Sequence, residues 1–252
     1  MRTFVINLEK NHDRMLIMHA QLKRLGIKYE RVDAFYGKDM DSESKRRAVS
    51  AFRWHCAIGR NARDAEIGCA LSHYKIYQKM VDEDIDIACV MEDDVVLGED
   101  ANRVMGELQE LIDVKQSNVY LLSDHSRDGQ LGIMKLADLN ANCGSPVNLI
   151  ETGHDWGTEC YCITLKAAAN ILRWNFPLKV PCDHWAKFVK HSIIRLYWVK
   201  PTIATQDKEG FTSDIMPKEY LTTHRESIAR WIRLPIRAAE KFMDRLLDIV
   251  NF

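Results

Sequence analysis

The chain has no apolar run long enough to cross a bilayer. Its first strand-like segment, "FVI", is followed at once by Asn7, Glu9 and Lys10. That leaves no apolar core of the length a secretory leader needs, and the cytoplasm is the expected compartment. A dominant charge is lacking too. Thirty-five Lys and Arg against 36 Asp and Glu leave a formal net charge of −1. No global field draws such a chain to nucleic acid or to a membrane, so any attraction of that kind must be local. There is no CxxC pair among the seven cysteines. An odd number, with several inside apolar runs such as Cys89 in "IACVM", reads as buried free thiols in a reducing compartment rather than a disulfide framework or a zinc site. No GxGxxG follows the first strand and no Walker phosphate loop occurs. Internal repeats and low-complexity segments are absent as well.

What is present is enough for a sizeable core: 252 residues, 46% of them apolar. That length suits one large domain, or one domain with an appendage. "TFVINL" is a buried-type strand. Asn11 or Asp13 is placed to cap a helix running to about Leu25, with Gly26 as its stop. "KYERVDA" is a second strand. This β-α-β opening predicts an α/β domain with parallel strands. Lys38 to Arg63 is charged and weakly periodic, and reads as a mobile loop with helical turns. "RDAEIGCALSHYKIYQKMVDE" is helical, with Ile67, Leu71, Tyr74 and Tyr77 on one side. Strands follow at "IDIACVM", "NVYLLS", "CYCIT" and "SIIRLYWV", and helices at "ANRVMGELQELIDV" and "KAAANILRW". "RDGQ" carries the Asp-Gly signal of a hairpin.

Three carboxylates, Glu92, Asp93 and Asp94, come directly after the strand "IDIACVM". Like charges repel, and burying them is costly unless something pairs with them. The bland reading is a solvated acidic turn. Against it, the cluster sits at the carboxyl end of a buried-type strand, where open α/β sheets bind ligands. Apolar "VVL" also follows at once. Oxygen donors in this arrangement suit a hard divalent cation, Mg²⁺ or Mn²⁺, that keeps open positions for substrate phosphates. With no glycine-rich loop in the chain, the implied substrate is a diphosphate held through metal.

These residues carry a family likeness. "FVINLEKNHDR", "EIGCALSHYKIY", "VMEDDV", "WGTECYCITLKAAANIL", "VPCDHW" and "KPTIATQDKEGFTSDI" resemble, in this order from Thr3 to Ile215, the segments of glycosyltransferase family 25, the lipooligosaccharide glycosyltransferases. The resemblance implies a GT-A type nucleotide-diphospho-sugar fold, a Rossmann-like mixed sheet flanked by helices. It also implies a UDP-sugar donor and Mn²⁺ (or Mg²⁺) as cofactor. Members of that family are largely galactosyltransferases that build outer-core oligosaccharide at the inner face of the cytoplasmic membrane. The expected activity is therefore transfer of a hexose, most simply galactose, from UDP-galactose to a lipooligosaccharide, with inversion to a β linkage. UDP-glucose or UDP-N-acetylglucosamine as donor are rival readings, and so is a sugar-nucleotide-binding protein with lost catalysis. The intact carboxylate triplet argues against the last.

The same resemblance suggests roles. Asp94 is the first candidate metal ligand, with Asp93 or Glu92 touching metal or donor ribose. Backbone groups at Asn7 and Leu8 are expected to read the uracil and Arg14 to meet phosphate; a weak surface ion pair of Arg14 with Asp13 or Glu9 is the alternative. Ser72 and His73 are either structural or donor-facing. Asp183 is the candidate base for the acceptor hydroxyl, or else the cap of a helix beginning near His184. Asp155 and Glu159 are the competing carboxylates. Trp156 and Gly157 would shape the sugar pocket, and Gln206 and Ser213 would close it.

The resemblance stops at Met216, which divides the chain into a catalytic domain, 1–216, and a tail, 217–252. In the tail Arg230, Arg233, Arg237, Lys241 and Arg245 fall three or four apart and form one stripe of a helix. Ile228, Trp231, Ile232, Ala239, Phe242, Leu246 and Ile249 take the other side, and Pro235 breaks or restarts the helix. Such a helix can lie on an anionic membrane. It can equally dock on the domain with its basic side in water.

Overall fold

A computed structural model describes residues 1–123 and 139–206. The Asp-Gly turn at 127–130, Ser213 and the whole tail lie outside these residues. β1 (Arg2–Asn7), α1 (His12–Arg24) and β2 (Glu30–Asp33) form the expected opening unit. Asn11 stands at the start of α1, but its side chain makes no capping bond. Its carbonyl instead accepts from Asn7 Nδ2 at 3.0 Å. The helix stops at Leu25, and Gly26 follows with φ of +68°, a left-handed conformation that glycine adopts without a Cβ penalty.

The segment read as a mobile loop is more regular than expected. It holds a 3₁₀ turn (Gly37–Asp39), α2 (Ser42–Ala48) and α3 (Ala51–Ile58). Asp41 caps α2 by accepting from the N–H groups of Glu43 and Ser44, both at 2.8 Å. Trp54 of α3 is fully buried, which ties this charged stretch to the core. α4 (Asp64–Asp82) follows, then β3 (Ile87–Glu92), β4 (Val95–Leu97), α5 (Ala101–Leu111) and β5 (Asn118–Leu121). Beyond the second described boundary come β6 (Asn148–Thr152), β7 (Cys160–Thr164), α6 (Leu165–Asn175), α7 (Trp185–Lys190), β8 (Arg195–Lys200) and β9 (Ala204–Gln206).

Seven strands form one sheet in the order β2-β1-β3-β7-β5-β8-β6, and β4 pairs with β9 in a second, two-stranded sheet. β1 is parallel to both of its neighbours, whereas β7 runs antiparallel between β3 and β5. The sheet is therefore mixed. Both faces are covered, and the strands show it by strict alternation. Phe4, Ile6, Ala88, Val90, Tyr161 and Ile163 face α4, α6 and α7. Val5, Cys89, Met91, Cys160 and Cys162 face α1 and α5. Three of the seven thiols are thus sheet residues in an apolar layer, and all seven are free. Among the described residues no helix is long and apolar enough to cross a membrane.

Register places the functional end. Ile6 pairs with Glu92, so the carboxyl ends of β1 and β3 lie side by side. Met91 pairs with Cys160 in the antiparallel neighbour, which brings the start of β7 to the same edge. Val95 pairs with Gln206, and this carries the late segment back to the residue after the carboxylates.

Candidate functional site

At that edge opens a solvent-accessible cleft. Its walls include Leu8 and Arg14 from the β1–α1 junction, Phe35 to Lys38 after β2, and Cys69, Ser72 and His73 from α4. Glu92, Asp93, Asp94 and Gln206 complete it. Eight of the residues singled out from sequence therefore share one cavity.

The three carboxylates have different partners. Glu92 accepts from Thr158 Oγ1 at 2.6 Å, and its backbone N–H donates to the Glu159 carbonyl at 2.9 Å. His73 Nε2 lies 3.4 Å from Glu92 Oε1. Burial works to raise the Glu92 carboxyl, but His73 and Thr158 outweigh it and hold the group below its ordinary value. Asp93 accepts from Asn7 Nδ2 at 2.7 Å and from Arg14 at 3.2 Å. Burial still prevails there and the group is raised. Asp94 has one hydrogen bond, from Gln206 Nε2 to Oδ2 at 3.0 Å. Its Oδ1 is buried with no hydrogen-bond partner among the described residues. Burial, and then the charge of Glu92, push Asp94 up to about 7. A carboxylate in that position is disfavoured until a cation reaches it.

The neighbouring side chains explain the local sequence. Asn7 is fixed from both ends, since Arg31 Nε donates to its Oδ1 at 2.8 Å. Arg14 pairs with Asp93 at the cleft. Ser72 accepts from the Phe35 N–H at 2.8 Å and donates to the Gly68 carbonyl at 2.7 Å. It thereby ties the wall loop to α4. Gly68 is where that loop crosses the helix: a Cβ there would meet the Phe35 carbonyl oxygen at 2.5 Å and the Gly37 nitrogen at 2.7 Å. His73 Nδ1 meets the Tyr161 hydroxyl at 2.8 Å, and Tyr161 meets the Tyr77 hydroxyl at 2.7 Å. Burial lowers His73, but Cys69 and Glu92 raise it more strongly, to about 9.

The remaining candidates form a second group beside the cleft. Asp183 precedes α7, whose N-cap residue His184 makes no side-chain cap bond. Burial, and after it the charges of Glu92, Glu66 and Glu159, raise Asp183 to about 6. Trp156 stacks near the His184 ring at 4.3 Å, and Trp185 Nε1 donates to the Gly157 carbonyl at 2.8 Å. Asp155 is buried and accepts from the Trp156 N–H at 2.7 Å and from Trp198 Nε1. Glu159 is buried at the entry to β7. The sequence reading passed over Tyr161, Thr158 and the Phe35–Gly37 loop. For Thr158 and Tyr161 the signal was their position at the head of the strand that register sets against Glu92.

The arrangement has clear relatives. Procollagen galactosyltransferase 2 of Mus musculus is 25% identical over 232 residues, 86% of this chain. The lacto-N-neotetraose biosynthesis glycosyltransferases LgtB and LgtE of Neisseria meningitidis serogroup B are 28% and 26% identical, over 66% and 82% of this chain. The chain spans 35% of the length of that procollagen enzyme, 59% of LgtB and 74% of LgtE. Residues 1–186 match the profile of glycosyltransferase family 25 (LPS biosynthesis protein). A mixed seven-stranded sheet with helices on both faces and acidic residues at its carboxyl edge agrees with that match, and the chain belongs to glycosyltransferase family 25.

Proposed function

We propose that this chain transfers a hexosyl group, galactose in the simplest case, from a UDP-sugar to a hydroxyl of a lipooligosaccharide with inversion to a β linkage. The observation that supports it best is the set of three carboxylates and one arginine lining a cleft at the carboxyl end of β3. Galactose is favoured by the name of the procollagen relative, and an oligosaccharide acceptor by the names of LgtB and LgtE.

Mn²⁺ or Mg²⁺ fits the carboxylate end of the cleft. The donors are all oxygen, and the buried Oδ1 of Asp94 has no hydrogen-bond partner among the described residues. Asp94 and Asp93 would hold the ion, with Glu92 beside them toward metal or ribose. When bound, the ion supplies charge to offset the departing diphosphate. Arg14, anchored on Asp93, is set to reach a phosphate oxygen. Asn7 and Leu8 end β1 where the uracil is expected. Asp183 takes the proton of the acceptor hydroxyl as its oxygen attacks the anomeric carbon. A carboxyl raised to about 6 is suited to that work near neutrality. In this reading Trp156 and Gly157 form the sugar side and Gln206 closes the late edge; Ser213, given the same part from sequence, lies outside the described residues.

The test is turnover of a panel of UDP-sugars with Mn²⁺, with and without an oligosaccharide acceptor. UDP-galactose is expected to be consumed fastest, and chelator to stop the reaction. Preference for UDP-glucose or UDP-N-acetylglucosamine would correct the donor. No consumption of any donor would sink the enzyme reading.

A further inference from the structure

A second cluster of metal-type ligands lies at the inner wall of the cleft and is chemically unlike the carboxylates. Cys69 and His73 are one turn apart on α4, and Cys182 comes from the turn before α7. The two sulfurs and an imidazole nitrogen all lie within 4.8 Å of one another. The Cys69 and Cys182 sulfurs are 3.6 Å apart. Two bonds of about 2.3 Å meeting at a tetrahedral zinc ion set their sulfurs about 3.8 Å apart. The present spacing therefore needs almost no adjustment.

The histidine supplies an independent observation. His73 is 1% exposed, and its Nε2 makes no hydrogen bond among the described residues. The other ring nitrogen is held by Tyr161, itself held by Tyr77. Metal-binding histidines are oriented in this way, by a partner on the ring nitrogen that does not bind the metal. Glu92 Oε1, 3.4 Å from Nε2, is available for a fourth position. Cys69 and His73 also line the cleft, so an ion has a way in.

We infer that Cys69, Cys182 and His73 form a binding site for a thiophilic divalent cation, Zn²⁺, separate from the hard-cation site at Asp94. Binding forms two Zn–S bonds and one Zn–N bond, and releases the two thiol protons and any proton on Nε2. The bound ion ties α4 to the Pro181–Asp183 turn and so fixes the backbone that carries Asp183. This reverses the expectation, drawn from cysteine spacing, that no zinc site exists. The ligands are 113 residues apart in the chain, which no CxxC pattern reports.

The full chain, reduced and metal-free, is titrated with Co²⁺ alone as a spectroscopic probe. One equivalent is expected to bind with thiolate-to-cobalt charge-transfer absorption, and Zn²⁺ to displace it. Cys69→Ser and Cys182→Ser should each lose the band, whereas Asp94→Asn should keep it. X-ray absorption of the zinc-loaded wild-type chain should show two sulfurs at about 2.3 Å with nitrogen or oxygen at about 2.0–2.1 Å. Absence of the band in the wild type, its survival in Cys182→Ser, or a shell without sulfur overturns the inference. If the serine variants fail to fold, the wild-type shell decides alone. None of these readouts depends on sugar transfer.

Discussion

In the proposed metal reading, Asp94 weakens the fold in the service of a ligand. Its carboxyl is raised to about 7 by burial and by Glu92, so the metal-free fold disfavours the ionised form. The sign follows from linkage: a carboxyl whose folded pKa lies above its unfolded value costs nothing below about pH 4. It withdraws stability as pH rises through the folded value. Asp94→Asn should therefore raise the melting temperature of metal-free protein at pH 8 by a few degrees, on the order expected for 1–2 kcal/mol in a chain this size. The gain should vanish near pH 4, where wild-type Asp94 is protonated as well. Sugar transfer should be lost at every pH, because the amide is an uncharged and poorer ligand. Thermal melts of both proteins at the two pH values, beside an activity assay, check this.

Asp183 is raised for the same reason, but its expected part is to accept a proton. Asp183→Asn should cut turnover by about two to four orders of magnitude with donor affinity unchanged. By the same linkage the substitution should not weaken the fold above about pH 6, where the wild-type carboxylate is buried and ionised. Wild-type turnover should fall as pH drops below about 6, as the base becomes protonated. Unaltered turnover per folded molecule would move the role to Glu159 or Asp155. Of these, Asp155 already accepts from two N–H donors.

Among the elements, the contact of α4 with the wall loop carries the most weight for the site. Gly68 has no room for a Cβ against the Phe35 carbonyl and the Gly37 nitrogen, both of them backbone atoms. Gly68→Ala should cost about 1–3 kcal/mol of overpacking and should weaken UDP binding by displacing Phe35 and Tyr36. Ser72→Ala leaves the Phe35 N–H without its acceptor, and about 1–3 kcal/mol is expected for that. Denaturant unfolding of the two variants, with UDP titration, separates stability loss from loop displacement. Ser72 thus ties the wall loop to α4 and also lines the cleft itself, so both of its readings stand.

Elements with strong periodicity were legible from sequence. β1, α1, α4 and β3 are found where apolar runs and helical periodicity put them. Short strands such as β2, β5 and β7 were legible, but others were not. Val95–Leu97 looked like an apolar tail to an acidic turn, and it is a strand only because Ala204–Gln206 pairs with it from over a hundred residues away. β6 has a mostly exposed face and lies at the sheet edge, so its pattern "NLIET" carries little hydrophobic signal. The charged stretch 38–63 hid two helices because Asp41 capping and one buried tryptophan, not periodicity, hold them. Within the site, the acidic motif and Arg14 could be read directly. The pairing of Arg14 with Asp93, and of His73 with Glu92, depended on sheet register that no local pattern encodes.

For the whole molecule, a formal net charge of −1 gives no global pull toward an anionic surface, so the lipid acceptor proposed above would have to be reached through a local feature. We propose that the tail after residue 216, which lies outside the described residues, supplies it. Five cations at helical spacing in the sequence are worth about 1 kcal/mol each near an anionic surface, and Trp231 and Phe242 would enter the interface. Charge reversal of Arg233, Arg237 and Lys241 should weaken binding to anionic vesicles and slow transfer to a lipid acceptor. Transfer to a short soluble sugar should be spared. Equal loss on both acceptors would make the tail part of the folded domain instead.

The central claim is that the carboxylates at the end of β3 hold the donor diphosphate through a divalent cation. Calorimetric titration of UDP into the metal-free chain, with and without Mn²⁺, tests it most directly when repeated on Asp94→Asn and Asp183→Asn. Binding is expected only with Mn²⁺ in the wild type and in Asp183→Asn, and not in Asp94→Asn under either condition. UDP binding of equal strength in chelator, or in Asp94→Asn, would contradict it.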